Sequence, residues 1–258
     1  MVKRGLNKKG QLTLFIILGI LIVAGIFALF LILPSPEIFT SSSKDPVQEI
    51  RPCIAKSLEQ VLPEFLEKGL YFDLNNHLTY NGTEINYHCF TDQKRTICTR
   101  NNAQSKSRIE QELKNKIEND VETCFNNFVV ASRSLDVELQ ETDLSIEVLP
   151  GKINIKTRKD VIISRDQEDP VIYRNFDISI NSPLWDYIRI SNEIINQEVS
   201  CNCPIDACRA DVTGLMNLNR DYKITLYMGG RDDRVYTIDD YYEQNKFMFA
   251  VKNCDKSP

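Results

Sequence analysis

The pattern of hydrophobic and polar positions begins with one long uninterrupted apolar run. Residues 12–33 carry no charge, and Thr13 is their only polar side chain. At about 1.5 Å per residue, a helix over this run covers roughly 30 Å, which matches the hydrocarbon core of a bilayer. Core helices of soluble domains keep a polar stripe, and cleaved secretory signals have shorter apolar regions. The run therefore predicts a transmembrane helix over residues 12–33.

The charges on the two sides of this run predict its orientation. Four basic residues and no acid precede it, and the first basic residue after it is Lys44. Basic residues mark the cytoplasmic side of a membrane span. Residues 1–11 are therefore predicted to be a cytoplasmic basic leader. The rest of the chain would lie outside, so the protein is predicted to reside in the cytoplasmic membrane with its main domain at the cell surface.

Beyond the span, the pattern predicts a linker followed by helices. Residues 34–46 are rich in proline and serine, which indicates a flexible tether. Apolar residues then recur at three- and four-residue spacing over residues 47–66, so we expect a helix that ends at Gly69. Pro63 is expected to kink or split this helix. The same spacing predicts two further helices, over about Ser105–Phe128 and Leu184–Val199.

Between and after these helices the pattern predicts strands. Asn81-Gly82 is the favoured pair for a two-residue type I′ turn, so its flanks are predicted to form a hairpin, with a third strand over Thr96–Arg100. From Leu135 onward apolar residues alternate with polar ones, which places a candidate sub-boundary near residues 130–135. The predicted fold is α+β, with antiparallel sheets and about three helices in an extracytoplasmic domain over residues 47–258. The later strands are predicted near residues 144–148, 153–155, 161–163, 176–180, 222–228, 235–238 and 246–251.

All eight cysteines follow the apolar run, which indicates disulfides formed in an oxidising compartment. Cys89 and Cys98 fall on adjacent predicted strands that a short turn joins, so they can face each other. Cys53 and Cys124 fall on the apolar faces of two predicted helices, so a bond between them would join those helices. The remaining cysteines leave the pairing open: Cys254 joins one of Cys201, Cys203 or Cys208, and the other two pair locally.

Other chemistry finds little support in the motifs. Zinc sites usually contain Cys-x2–4-Cys pairs, whereas Cys201, Cys203 and Cys208 are irregularly spaced and no Cys-x-x-Cys redox pair occurs. The chain has two histidines, His77 and His88, which we interpret as surface or packed residues. Nucleotide-binding and hydrolase signatures are absent from the sequence, so we predict no catalytic residue, no metal and no cofactor. Further weak patterns are interpreted as chance or as solvated turns: Ser41-x-x-Lys44, Asp232-Asp233 and Asp239-Asp240.

One modification motif lies at the predicted hairpin turn. Asn81-Gly82-Thr83 is an N-glycosylation sequon on the side of the membrane where such glycans are attached. Asn81 is therefore a candidate glycosylation site. The alternative is that Asn-Gly occurs here only because its backbone fits the turn.

The residues before and within the apolar run carry a resemblance. Lys8-Lys9-Gly10-Gln11, followed by the apolar residues, resembles the class III signal peptides of archaeal type IV pilin-like proteins and archaellins. The resemblance implies cleavage between Gly10 and Gln11 by a prepilin-type peptidase, after which the apolar helix packs into a filament core. It covers only about the first 25 residues and carries no implication for the outer domain.

The charge balance narrows the partners. The four basic residues of the leader leave 27 of the 31 Lys and Arg on the rest of the chain, against all 36 Asp and Glu. An acidic outer domain is a poor partner for nucleic acid, so membrane lipid around residues 12–33, self-association or other surface proteins are the expected contacts.

Together these features favour a non-enzymatic, membrane-anchored cell-surface protein that presents a disulfide-stabilised binding or structural domain. Two alternatives remain open at this point. One is a pilin-like filament subunit cleaved after Gly10, and the other is an extracytoplasmic enzyme of an unrecognised class.

Overall fold

A computed structural model of the chain describes residues 45–72, 76–93, 96–100, 105–133, 135–140, 143–164, 169–200, 210–228, 232–242 and 245–254. The predicted leader, the transmembrane run and almost all of the linker lie outside these residues. No helix within the described ranges is both long enough and apolar enough to span a bilayer.

The described residues contain four helices. The three predicted from apolar spacing are confirmed, whereas the seven-residue α4 was not predicted. Helix α1 continues through Pro52 and Pro63 without a break. Both prolines lie on its exposed side, where carbonyl groups that lose a helical partner stay accessible to water, so the expected split at Pro63 is wrong. The bounds are α1 Pro46–Glu67, α2 Lys106–Ala131, α3 Leu184–Val199 and α4 Val212–Leu218.

Local signals at both ends define α1. The Asp45 carboxylate accepts a hydrogen bond from the Val47 N–H at 3.0 Å, and Pro46 occupies the first helical position. At the other end Gly69 adopts a φ of 79°, and the Leu70 N–H donates to the Phe65 carbonyl at 2.8 Å. Gly69 thus ends the helix as its sequence predicts, and α1 starts at a true N-cap.

Within the described ranges, twelve strands form three sheets, and antiparallel pairs predominate. The largest sheet has the order β1-β2-β12-β11-β10 with β3 beside β2, and its β12–β2 pair is parallel. The two three-stranded sheets have the orders β4-β7-β8 and β5-β6-β9. The predicted third strand is shorter than expected, and Phe176 is buried just before β9 rather than within it. The strands are β1 His77–Tyr80, β2 Thr83–Phe90, β3 Thr99–Arg100, β4 Asp136–Leu139, β5 Asp143–Leu149, β6 Lys152–Arg158, β7 Val161–Ser164, β8 Val171–Tyr173, β9 Ile178–Asn181, β10 Tyr222–Met228, β11 Asp233–Asp240 and β12 Lys246–Lys252.

The β1–β2 hairpin turns as predicted. Asn81 and Gly82 have φ values of 51° and 85°, and positive φ at both central residues defines a type I′ turn. Tyr80 and Thr83 form the strand pair that closes it. The tip of the hairpin, including Asn81, is exposed to solvent.

The six-stranded sheet has apolar residues on both faces. One face packs against the helices, and Tyr187 of α3 contacts the rings of Phe247 and Tyr222 there. This face belongs to a large hydrophobic core, the main cluster, which also includes the buried faces of α1 and α2. The opposite face carries a small separate core, here called the hairpin cluster, composed of Ile85, Tyr87, Val235, Met248 and Ala250 with Leu78, Tyr80 and Phe90 packed against it.

Candidate binding groove

An open groove with a volume of about 750 Å³ lies between the start of α2 and one side of α3. Ser105 and Lys106 contribute from α2, and the remaining lining comes from α3. Trp185, Arg189, Asn192 and Asn196 follow one another at spacings of four, three and four, which places them along one side of the helix. That row extends about 16 Å along the helix axis. The α3 side of the groove consists of Trp185, Ile188, Arg189, Asn192, Glu193 and Asn196.

Trp185 supplies the aromatic surface of the groove. It is the only tryptophan in the chain, and its side chain is half-buried against the main cluster. The Lys106 ammonium lies 5.7 Å from the centre of the indole ring and also pairs with the Glu110 carboxylate at 3.4 Å. A cation at this distance interacts favourably with an aromatic face, so Lys106 helps to hold the indole between the two helices.

Arg189 is held in place by polar contacts. Its guanidinium donates to the Asp186 carboxylate at 3.1 and 3.3 Å and to the Asn219 side-chain oxygen at 2.8 Å. Asp186 also accepts a hydrogen bond from the Tyr222 hydroxyl at 3.2 Å. Burial, reinforced by the Asp186 charge, raises the pKa of Tyr222, which therefore remains a donor at neutral pH.

The cationic groups of the groove are therefore neutralised by neighbouring acids or held by amides. Lys106 pairs with Glu110, Arg189 pairs with Asp186, and Arg100 donates to the Asn196 side-chain oxygen at the groove's far end. Asn192 and Glu193 add an amide and a carboxylate to the lining. The groove therefore has an aromatic and aliphatic floor, both hydrogen-bond donors and hydrogen-bond acceptors, and little net charge.

Ser105 and Lys106 of the lining have separate side-chain partners. Ser105 and Lys106 are adjacent, but the Ser105 hydroxyl lies 3.4 Å from the Ser107 hydroxyl, while the Lys106 ammonium pairs with Glu110. A serine nucleophile needs a base within hydrogen-bond reach, and no contact of this kind joins the two side chains. Within the described ranges, no group of three or more His, Cys, Asp or Glu side chains is arranged to hold a metal ion.

The two histidines lie outside the groove, and they differ in their exposure to solvent. His88 is fully buried, stacks on Phe249 at 4.6 Å between ring centres and donates from Nε2 to the Gly69 carbonyl at 3.0 Å. Burial lowers the pKa of His88 to about 4, although the hydrogen bond to Gly69 opposes part of that shift. His77 is partly exposed, 3.6 Å from the Glu84 carboxylate. His88 is thus a packed core residue.

The acidic pairs flank a single strand. Asp233 accepts a hydrogen bond from the Tyr87 hydroxyl at 2.8 Å, and the Asp240 carboxylate accepts one from the Tyr242 N–H at 2.7 Å. These two aspartates are the first and last residues of β11, so about 20 Å separates them. They stabilise the ends of β11 separately and do not form a common cation site.

Both cysteine pairs predicted from secondary structure are present as disulfides. Cys53 and Cys124 join α1 to α2, with 5.8 Å between their Cα atoms, and Cys89 and Cys98 join at 5.4 Å. Cys254 is also disulfide-bonded. The pairing among Cys201, Cys203, Cys208 and Cys254 falls outside the described residues, as do Gly10, Gln11, Ser41 and Lys44.

A buried polar network near the end of α3 was not predicted. The Glu198 carboxylate, fully buried, accepts hydrogen bonds from Arg234 and Tyr236, and the Asn253 amide donates to it at 3.3 Å. Burial, with the Glu198 charge beside it, raises the pKa of Tyr236. Arg234, directly before the predicted strand at residues 235–238, was the sequence signal for this network. Since its members satisfy one another, its role is to fix α3 against the sheet.

The groove itself was also not predicted. Its residues come from two helices separated by nearly 80 positions, and Trp185 reads in the sequence as one more apolar residue of α3. The one available signal was that the chain has a single tryptophan next to a polar row of Arg189, Asn192 and Asn196. Comparisons with models of protein families, with curated proteins and with solved structures find no match for this chain.

Proposed function

We propose that this chain is a non-enzymatic, membrane-anchored cell-surface protein whose disulfide-stabilised domain binds a ligand in the groove around Trp185. The observation that carries the proposal is the groove itself. It combines the only tryptophan of the chain with amides, a carboxylate and a fixed guanidinium in an open channel. A concave site with an apolar floor and a few oriented polar groups is the usual form of a binding site.

The position of the groove supports this role. Cys53, near the start of α1, is bonded to Cys124, near the end of α2, so the two helices run in opposite directions. Consistently, Tyr71 and Phe72, just after α1, contact Arg108 and Lys116 in the first half of α2. The start of α2 therefore lies about 30 Å from the end at which Asp45 begins α1. A groove at that far end stays accessible when the domain is tethered through Asp45.

The chemistry of the groove favours an uncharged, hydroxyl-rich ligand, and we propose a neutral oligosaccharide. Pyranose rings have an apolar face of C–H groups that stacks on an indole, and their hydroxyls both donate and accept hydrogen bonds. The amides of Asn192 and Asn196 offer a donor and an acceptor each, and Glu193 accepts. Because Lys106 and Arg189 are already paired with acids, the groove has no strong attraction for an anionic partner.

A titration followed by intrinsic fluorescence tests the binding proposal directly, because Trp185 is the only indole in the chain. Neutral oligosaccharides of three to five units, added to the purified outer domain in its disulfide-bonded form, are expected to change the Trp185 emission saturably. Asn192→Ala should weaken binding roughly 5- to 10-fold, since one lost hydrogen bond is worth about 1–1.5 kcal/mol.

The matched control is Asn126→Ala, at an exposed asparagine of α2 outside the groove. Calorimetry on Trp185→Leu extends the test to a variant without the fluorophore, and binding is expected to be lost. Saturable binding of acidic peptides and not of sugars would replace the oligosaccharide with a protein partner. No ligand response from either class would refute the groove proposal.

Helix α1 supports the anchored form over the filament alternative. It begins at its own N-cap, Asp45, with Pro46 in its first position. A tethered head therefore fits better than a rigid stalk. N-terminal sequencing separates the two: a chain that begins at Gln11 and pellets with sheared filaments would support the pilin-like alternative, whereas a detergent-extractable chain supports the anchor.

A further inference from the structure

The tip of the β1–β2 hairpin brings a glycosylation sequon next to exposed aromatic surface. The type I′ turn directs Asn81 outward, and Thr83, the third residue of the sequon, pairs across the turn with Tyr80. The Tyr80 ring in turn contacts Tyr227 of β10, with 5.7 Å between the ring centres. Asn81 is therefore an exposed residue that directly follows a member of this aromatic pair in the chain.

The described residues leave part of this aromatic pair exposed. Tyr227 is 40% exposed. Tyr80 is also the outer cover of the hairpin cluster. A glycan attached at Asn81 would present an apolar C–H face to this exposed aromatic surface.

We propose that Asn81 carries an N-linked glycan whose first sugar stacks on Tyr80 and covers the exposed part of the Tyr80–Tyr227 pair. The inference rests on the extracytoplasmic location that we propose for the domain, and it does not depend on the groove. The apolar C–H face of the sugar replaces water on the Tyr80 ring. Because Tyr80 packs against the hairpin cluster, the glycan extends the apolar contacts of that cluster. A glycan at this turn therefore stabilises the β1–β2 hairpin in addition to shielding it.

The attachment is a simple transfer. The amide nitrogen of Asn81 displaces a lipid-linked phosphate from C1 of the donor sugar. The new bond is C1–N, the bond that breaks is C1–O to phosphate, and the polyprenyl phosphate leaves while the amide nitrogen gives up one proton to a base of the transferase. The donor is a polyprenyl-phosphate-linked oligosaccharide, and no oxidant or reductant is needed.

The geometry fits that transfer. Asn81 and Gly82 are both exposed, and Gly82 has open space around its Cα. The sequon hydroxyl of Thr83 lies on the strand that follows the turn, and its backbone is fixed by the pairing with Tyr80. An exposed, regular turn gives a transferase access to the asparagine amide without local unfolding.

The first experiment is mass spectrometry of the protein purified from a host that performs N-glycosylation. We expect a glycan on Asn81 in wild type and in Thr83→Ser, which keeps the sequon, and none in Thr83→Val, which keeps the shape but loses the hydroxyl. Wild-type protein that is disulfide-bonded and outside the cell but unmodified at Asn81 would overturn this inference alone. Reduced protein found inside the cell would instead overturn the proposed location.

The second experiment measures stacking. In the wild-type background, loss of the glycan through Thr83→Val is expected to lower the melting temperature by about 2–4 °C. The same substitution in a Tyr80→Leu background should have little effect, because the ring that the sugar covers is gone. Thr83→Val made in a host without N-glycosylation measures the effect of the side chain itself and is subtracted. An equal glycan effect with and without Tyr80 would show that the glycan does not stack there.

Hydrogen exchange supplies a readout that remains valid if Tyr80→Leu loosens the hairpin. The amides of β1 and β2 are expected to exchange more slowly in the glycosylated protein than in the unglycosylated one. The amides of β5 and β6, in a separate sheet, should be unaffected. Equal exchange in β1 and β2 with and without the glycan would contradict the proposal.

Discussion

The two faces of the six-stranded sheet bury different amounts of apolar surface and are covered by different elements. The main cluster lies under helices, and both described disulfides contribute cysteines to it. The hairpin cluster has five buried members, contains none of those cysteines and is covered by the β1–β2 hairpin. The stabilisation that a core provides increases with the apolar area that it buries. The main cluster therefore determines whether the domain folds, and the hairpin cluster can open while the rest of the fold persists.

Removing the disulfides of the main cluster gives the largest expected effect. The Cys53–Cys124 bond closes a separation of 71 residues, and its loss through Cys53→Ala and Cys124→Ala is expected to cost about 4 kcal/mol of unfolding free energy. The Cys89–Cys98 bond closes a separation of 9 residues, so its paired alanine variant should cost about 3 kcal/mol. Urea unfolding measures both.

Each paired alanine variant removes two sulfur atoms, so the two variants serve as controls for each other. They differ in the length of the loop that the disulfide closes. The longer loop should always be the more costly to open. If the Cys89–Cys98 variant lost as much stability as the Cys53–Cys124 variant or more, the difference would have to come from packing at β2 and β3 rather than from loop closure.

His88 makes the main cluster sensitive to acid. Its pKa is about 4 in the folded protein, against about 6.5 for an exposed histidine, so the unfolded chain binds more protons between these values. The contribution of neutral His88 is therefore fully present above pH 6.5 and is lost as the pH falls toward 4. Over that window we expect the wild type to lose roughly 3 kcal/mol more unfolding free energy than His88→Gln.

His77→Gln is the matched control, because it replaces the other histidine of the chain, which lies partly exposed on β1. The measurement is urea unfolding at several pH values from 7.5 to 4. Parallel pH profiles for wild type and His88→Gln would show that another group causes the acid sensitivity.

A matched pair of small deletions sharpens the comparison further. Ile85 in the hairpin cluster and Ile54 in the main cluster are both fully buried. Each isoleucine-to-valine change removes one methylene and costs about 1 kcal/mol when the site cannot collapse. We expect the full cost at Ile54 and less at Ile85, because a two-stranded hairpin can move to fill the space.

Hydrogen exchange distinguishes the two variants by location. Ile85→Val should speed exchange in β1 and the first half of β2 only, whereas Ile54→Val should speed it in the slowest-exchanging amides throughout the domain. Equal and global effects would mean that the two clusters unfold as one unit, which would end the distinction between them.

Sequence reasoning predicted the elements whose signals are local. The Asn81-Gly82 turn and the Gly69 end of α1 follow from turn chemistry within short windows. Both disulfide pairs follow from the predicted strands and helices that carry the cysteines. The Asp45 cap was not predicted. Helix α4 was missed because it has only seven residues, among them Gly214, which weakens a helical pattern. The prediction of a split at Pro63 was wrong because the effect of a proline on a helix depends on its exposure to solvent, which a single sequence does not give.

Features that join distant segments were beyond the sequence. The sequences of β2 and β12 do not indicate that these strands pair in parallel. The groove forms only because Ser105 and Trp185, which are distant in sequence, both line it. The Glu198 network likewise draws on α3, β11 and the residue after β12. Each of these three features depends on how distant segments pack together, which the periodicity of a sequence does not encode.

The place of β12 in the middle of the sheet has a consequence for how the protein is made. Asn253, just after this strand, accepts a hydrogen bond from the Cys98 N–H, a partner made 155 residues earlier. At about 5–20 residues per second, a ribosome needs roughly 8–30 s to produce the stretch between them. Throughout that delay β2 has no neighbour on its inner edge, and an open edge invites pairing with other chains. Correct folding of this domain thus depends on keeping the incomplete sheet away from other chains until its central strand has been made.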